Sequence, residues 1–201
     1  MISHIVGGAL GVFALILSVI VSAMHRDVWA IVGCAIYGAS LIVLYTASSV
    51  YHGLRHEMAK KVMQVIDHCT IYFLIAGTYT PIVLTRIRRV SAGWGWTIFG
   101  IVWGLAILAT VLTAIDLKKY NVFSMICYIG MGWCIIVAAK PAFASIPLAG
   151  LAYLLAGGIS YTVGAVLYGL GTRRRYMHSV FHIFVVAGSV LQFIAILFYI
   201  I

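Results

Sequence analysis

The chain has 201 residues, of which 64% are hydrophobic and only 8% are charged. Soluble domains carry about 25% charged residues, so this composition excludes a water-soluble globule and indicates one polytopic membrane domain. The formal net charge of +9 comes from basic residues in short loops without an aromatic-interleaved basic block, which argues against nucleic-acid binding and favours anchoring against anionic headgroups.

Seven apolar segments are each long enough for a helix that crosses the hydrocarbon core, which takes about 20 residues. In chain order the predicted spans are 4–24, 29–52, 66–85, 92–115, 121–139, 147–170 and 178–200. None of them shows the alternation of a transmembrane strand. The sequence therefore predicts an all-α seven-helix bundle, a single transmembrane domain over residues 1–201. The first apolar run is read as a retained helix, with a signal peptide cleaved near Ser22 and Ala23 as the alternative.

The basic residues of the loops predict the direction of the chain. Eight of them follow spans 2, 4 and 6, whereas five follow spans 1, 3 and 5. The larger group is Arg55, Lys60, Lys61, Lys118, Lys119, Arg173, Arg174 and Arg175, and the smaller is Arg26, Arg86, Arg88, Arg89 and Lys140. Because basic loops are retained in the cytoplasm, we expect a cytoplasmic N-terminus and an external C-terminus.

Small residues four positions apart indicate where helices approach closely. The pairs are Gly7/Gly11, Gly100/Gly104 and Ser160/Gly164. Such pairs let backbones meet where lipid offers no hydrophobic drive, and we interpret them as packing within the bundle rather than as a dimer interface. Pro81, late in the third span, is expected to kink or end that helix.

Polar side chains that are unusual in a membrane segment share one predicted depth. His52 ends the second span, Asp67 begins the third, and His178 and His182 begin the seventh. The count of crossings therefore places all of them near the same face. Residues four apart share a helix face, so His178 and His182 can grip one ion and Ser48 can reach toward His52. Ionisable groups within spans are costly and mark functional sites.

This set of residues matches the requirements of catalytic zinc. In such a site three neutral imidazoles bind the ion and the fourth position stays open for water. Zinc is favoured over iron or copper because the sequence offers no redox-type ligand set such as a thioether cluster. Asp67 is the candidate to orient a water and accept its proton, and Ser48 could donate a hydrogen bond to Asp67 or to an oxyanion. The other histidines are expected to contact headgroups or to pack; these are His4, His25, His56 and His68.

Four stretches together resemble the hemolysin III family. They are Ser48-Ser49-Val50-Tyr51-His52, Ile66-Asp67-His68, Ile75-Ala76-Gly77-Thr78-Tyr79-Thr80-Pro81 and His178-Ser179-Val180-Phe181-His182. That family groups with the adiponectin and progestin receptors and the alkaline ceramidases, seven-helix proteins that include hydrolases. The resemblance implies a zinc ion held by His52, His178 and His182, with a water contacted by Asp67 and Ser48. It also implies a bacterial inner-membrane location and a role in membrane homeostasis.

Three functions are compatible with these residues. The first is a zinc-dependent hydrolase that acts on a lipid amide or ester delivered from the bilayer. The second is a sensor or receptor of membrane state in which zinc clamps the spans without turnover. The third is a cytolysin, which the family name suggests and which we rank last because no span carries the polar stripe of a pore. Substrate identity and oligomeric state are left open by the sequence.

Overall fold

The computed structural model describes residues 2–170 and 177–201, except for the side chains of Ile2, Ser3, Leu170, His178 and Ser179. Within these ranges the chain is helical and contains no strand, and seven helices are long and apolar enough to cross a membrane. The prediction of an all-α seven-helix membrane protein is therefore confirmed. The cytoplasmic N-terminus stays a prediction, and the loop with Arg173, Arg174 and Arg175 lies outside the described residues.

The helices follow one another with short connections. The α-helices are Ile2–Met24, Val28–Gly53, Glu57–Pro81, Arg88–Val90, Ala92–Ile115, Asn121–Gly132, Ala139–Ser145, Leu148–Leu170 and Met177–Ala195. Two π-helical segments, Ile82–Ile87 and Ile196–Ile200, and the 3₁₀ segment Cys134–Ala138 extend them. Spans 1 to 7 are His4–Met24, Val28–Gly53, Glu57–Val90, Ala92–Ile115, Asn121–Ser145, Leu148–Gly169 and Val180–Ile200.

Polar side chains in the loops cap the N-termini of spans 2 and 4. The Asp27 carboxylate accepts hydrogen bonds from the backbone N–H groups of Trp29 and Ala30 and so caps span 2. Ser91 caps span 4 in the same way. These side chains bond backbone donors that would otherwise lack a partner at a helix start. The resulting tight turns place successive spans antiparallel, so the count of crossings fixes which helix ends share a face.

Span 3 begins before the predicted apolar segment. Its helix starts at Glu57, not at residue 66, with the His56 ring accepting from the Ala59 backbone N–H at 3.4 Å. At the other end the α-helix stops at Pro81, as predicted, and continues as the π-helical turn Ile82–Ile87. Proline lacks the backbone donor that a regular α-helix needs, which explains the change of helix type there.

Two of the three small-residue pairs lie at helix contacts. Gly7 and Gly11 face span 2, where a Cβ on Gly11 would lie 3.1 Å from the Ile42 nitrogen. Ser160 donates to the Phe184 carbonyl at 2.8 Å, and a Cβ on Gly164 would lie 2.9 Å from the Phe184 Cβ.

The third pair does not pack within the described bundle, so that prediction is wrong. A Cβ on Gly100 or Gly104 would meet nothing within 4 Å among the described residues. Span 3 is the most buried of the spans, whereas span 4 presents one face to it and turns the rest outward. A small-residue pair makes close approach possible but does not determine whether the pair faces protein or lipid.

A buried hydrogen-bond network ties spans 2, 6 and 7 together. The Ser189 hydroxyl lies 2.7 Å from the Tyr45 hydroxyl and 2.9 Å from the Tyr161 hydroxyl. The Tyr37 hydroxyl donates to the Ser189 carbonyl at 3.4 Å. Buried phenols need such partners away from water. The network fixes the relation of span 7 to span 2, on which the arrangement of the polar residues depends.

Candidate metal centre

Three imidazoles from spans 1, 2 and 7 meet at the end of the bundle where span 2 finishes. They belong to His4, His52 and His182, and their possible ligand atoms all lie within 4.8 Å of one another. The His182 ring is 3.8 Å from the His4 ring and 5.2 Å from the His52 ring, between centroids. His4 and His182 are buried, with 2% and 5% of their surface exposed, and His52 is half-buried.

The packing of span 1 on span 2 explains why His4 reaches His52. The Tyr45 ring fills the space over Gly7, where any Cβ would clash with it. Tyr45 and His52 are seven positions apart and therefore share a helix face. His4 is one turn before Gly7 and Gly8 and consequently lies beside both rings. Its ring centroid is 5.7 Å from that of Tyr45 and 5.9 Å from that of His52.

The donor set fits a divalent transition metal such as zinc. Zinc takes imidazole nitrogens at about 2.0–2.1 Å in a tetrahedron, which separates the nitrogens by ~3.3 Å. Donor atoms that already lie within 4.8 Å need only small side-chain rotations to reach that separation. Imidazole is also a ligand type that suits zinc. The described residues can therefore hold such an ion.

His178 falls one helical turn before His182 in the helix Met177–Ala195. This spacing places the two residues on one face of the helix. The His178 side chain lies outside the described side chains. Its role as the third ligand therefore stays a prediction.

Ser48 and Asp67 lie beside the imidazoles. Ser48 is buried one turn before His52, Asp67 is half-buried, and both side chains line the same cavity. Among the described residues, the cluster of mutually close ligand atoms does not include Asp67. The carboxylate therefore lines the same cavity as the imidazoles of His4 and His182 but is not grouped with the ligand atoms.

The sequence reasoning missed His4, which it assigned to packing or headgroup contact. The signal was present, because the count of crossings puts the start of span 1 at the same face as His52 and Asp67. The three other histidines that were assigned to packing or headgroup contact, His25, His56 and His68, do not join the cluster. His25 and His56 are exposed, and the His68 Nδ1 lies 2.8 Å from the Gln64 carbonyl oxygen.

The polar residues open into a cavity of about 180 Å³ that runs into the membrane-spanning part of the bundle. His4, Ser48, Asp67 and His182 line one end of it. Apolar side chains from spans 2, 3, 5 and 7 form much of the wall, among them Leu44, Ile71, Ile75, Ile129 and Val185. A site of this kind accepts a ligand with a polar group at the cluster and an apolar body along the cavity.

Comparison with known proteins agrees with this architecture. A family model described as haemolysin-III related matches residues 1–193. The chain belongs to the haemolysin III-related family. It is 39% identical to Hemolysin-3 from Bacillus cereus, over 99% of this chain and 89% of the relative. The Hemolysin-3 homolog of Bacillus subtilis (strain 168) is 37% identical over 98% of this chain and 91% of its own length.

A more distant similarity extends to a human protein. The monocyte to macrophage differentiation factor of Homo sapiens is 26% identical over 91% of this chain and 76% of its own length. The resemblance proposed from the sequence motifs is thereby confirmed at the level of the family. In this haemolysin III-related chain, the matched region contains the three clustered histidines, Ser48 and Asp67. The protein is a multi-pass integral membrane protein.

Proposed function

We propose that this chain is a membrane-embedded, zinc-dependent hydrolase that cleaves an amide or ester bond of a membrane lipid. The observation that carries the proposal is the position of the imidazole cluster at one end of an apolar cavity that Ser48 and Asp67 also line. Polar groups that converge on an apolar pocket are typical of active sites.

The assigned ligands are His52 and His182, with His178 as the third. When bound, zinc would supply a Lewis acid for the substrate carbonyl and would lower the pKa of a water to about 7. The imidazoles have to be neutral to ligate.

Asp67 and Ser48 carry the proton chemistry in this proposal. The Asp67 carboxylate takes a proton from the attacking water and returns it to the amine or alcohol that leaves. In the proposed site, Ser48 donates a hydrogen bond that holds this carboxylate in place. Water adds to the carbonyl carbon, the C–N or C–O bond breaks, and the products are a fatty acid and the amine or alcohol to which it was joined.

Metal removal tests the proposal. The purified protein is expected to contain about one zinc per chain and to consume a lipid amide or ester from a bacterial lipid extract, followed by mass spectrometry. Chelation is expected to stop turnover, and added zinc to restore it. A protein that binds zinc and consumes no lipid would support a sensor instead. A protein that binds no metal would overturn both.

One observation favours the second candidate, a zinc-clamped sensor of membrane state. If His4 ligates together with His52, His178 and His182, the ion has four protein ligands, which is the arrangement of structural zinc sites. A closed shell of this kind leaves no position for water or substrate.

His4→Ala separates the two candidates. In the hydrolase, His4 contacts the metal ligands but does not bind the metal. We therefore expect zinc affinity to fall by no more than about 10–100-fold and turnover to persist at saturating zinc. Zinc titration and lipid assays check this result against His25→Ala, which changes an exposed histidine outside the cluster. Complete loss of zinc from His4→Ala would favour the four-ligand sensor.

A further inference from the structure

Gln192 on span 7 lines the cavity and is 7% exposed. Its amide Nε2 donates to the Leu154 carbonyl of span 6 at 3.0 Å, which fixes the orientation of the amide. Its Oε1 is buried and accepts no hydrogen bond from the described residues. A buried amide oxygen without a donor is costly, so a donor from the cavity contents is favoured at this position.

Two other polar side chains that line the cavity already make hydrogen bonds within the protein. Thr78 donates to the Leu74 carbonyl at 2.8 Å. The Tyr79 hydroxyl donates to the Gly132 carbonyl and accepts from the Ile135 N–H. Gln192 therefore differs from these cavity-lining neighbours in having a buried polar atom that makes no hydrogen bond to the described residues.

Helix geometry gives the separation of Gln192 from the metal cluster. Gln192 follows His182 by ten residues in one continuous α-helix. At about 1.5 Å per residue the two are ~15 Å apart along the helix axis, or half the thickness of the hydrocarbon core. An extended hydrocarbon chain advances ~1.25 Å per carbon, so this distance corresponds to about twelve carbons.

We infer that Gln192 recognises a hydroxyl group near the middle of the lipid chain, and that the substrate class is a hydroxylated acyl lipid. This inference rests on the proposed function for the reaction, but the recognition step concerns binding alone. The lipid places its carbonyl at the imidazoles and its hydroxyl at the Gln192 Oε1. The hydroxyl donates to that oxygen, which an unsubstituted acyl chain cannot do.

Binding of two fatty acids tests the inference without any need for turnover. The purified protein is titrated in detergent with 12-hydroxyoctadecanoic acid and with octadecanoic acid. We expect the wild type to prefer the hydroxy acid by about fivefold or more, the worth of one net hydrogen bond. Gln192→Leu is expected to abolish this preference while it keeps affinity for octadecanoic acid.

Two further variants separate recognition from a structural role. Gly157→Ala keeps the glutamine but displaces its amide, since the new Cβ would lie 2.7 Å from the Gln192 Nε2; we expect a reduced preference. Thr78→Val, which removes a cavity-lining hydroxyl that donates to the Leu74 carbonyl, is expected to leave the preference unchanged.

The outcomes are distinct. Equal binding of the two acids by the wild type, or a preference that survives Gln192→Leu, would overturn the inference and leave the hydrolase proposal standing. The expected preference without lipid turnover would instead remove the hydrolase and keep the recognition site.

Discussion

His182→Ala is expected to lose stoichiometric zinc and to reduce lipid turnover to background. His182 is the imidazole closest to both other members of the cluster, with ring centroids 3.8 Å from His4 and 5.2 Å from His52. Loss of an outer partner of a metal ligand already costs about 10–100-fold in affinity, and loss of a ligand itself is expected to cost more. Elemental analysis and isothermal titration with zinc measure the effect.

The design has to separate metal loss from misfolding. In chelator, wild type and His182→Ala are expected to melt at similar temperatures, whereas added zinc stabilises only the wild type, because a ligand stabilises the state that binds it. His25→Ala, in an exposed loop outside the cluster, is expected to match the wild type in zinc content. Full zinc occupancy in His182→Ala would remove this residue from the ligand set.

The sequence is sufficient to predict the seven-helix bundle because apolar length alone determines a membrane crossing. It does not predict where a helix extends beyond the membrane. Span 3 starts at Glu57, since the His56 cap and the charged first turns are compatible with helix in water. Hydropathy reports the apolar part of such a helix and omits the solvated part.

The candidate site could be predicted in part, because the apolar segments also give the number of membrane crossings before each polar residue. The count of crossings correctly placed His52 and His182 at one end, and they lie in one cluster. His4 was missed because its place in the cluster depends on the close contact of Gly7 with the Tyr45 ring, a tertiary feature. Gln192 was missed as well, because its bonding is a tertiary feature. Its Nε2 donates to the Leu154 carbonyl, and its Oε1 has no hydrogen-bond partner among the described residues.

Asp67→Asn is expected to retain zinc and to lower turnover by about 10²–10⁴-fold, the usual contribution of a general base. The carboxylate lines the cavity together with Ser48, His4 and His182 but does not belong to the cluster of close ligand atoms. Asparagine has nearly the same size, and its carbonyl oxygen can accept a hydrogen bond from Ser48. It cannot take a proton from water at neutral pH, so the loss should appear in kcat rather than in zinc content.

Glu57→Gln is the matched control, because Glu57 is an exposed carboxylate on the same helix, ahead of the cavity. It is expected to leave both kcat and zinc content unchanged. Loss of zinc from Asp67→Asn would make the carboxylate a direct ligand, which completes a four-ligand shell and favours the sensor. Unchanged kcat with full zinc would assign the proton transfer to another group, and His68, which also lines the cavity, would be the next residue to replace.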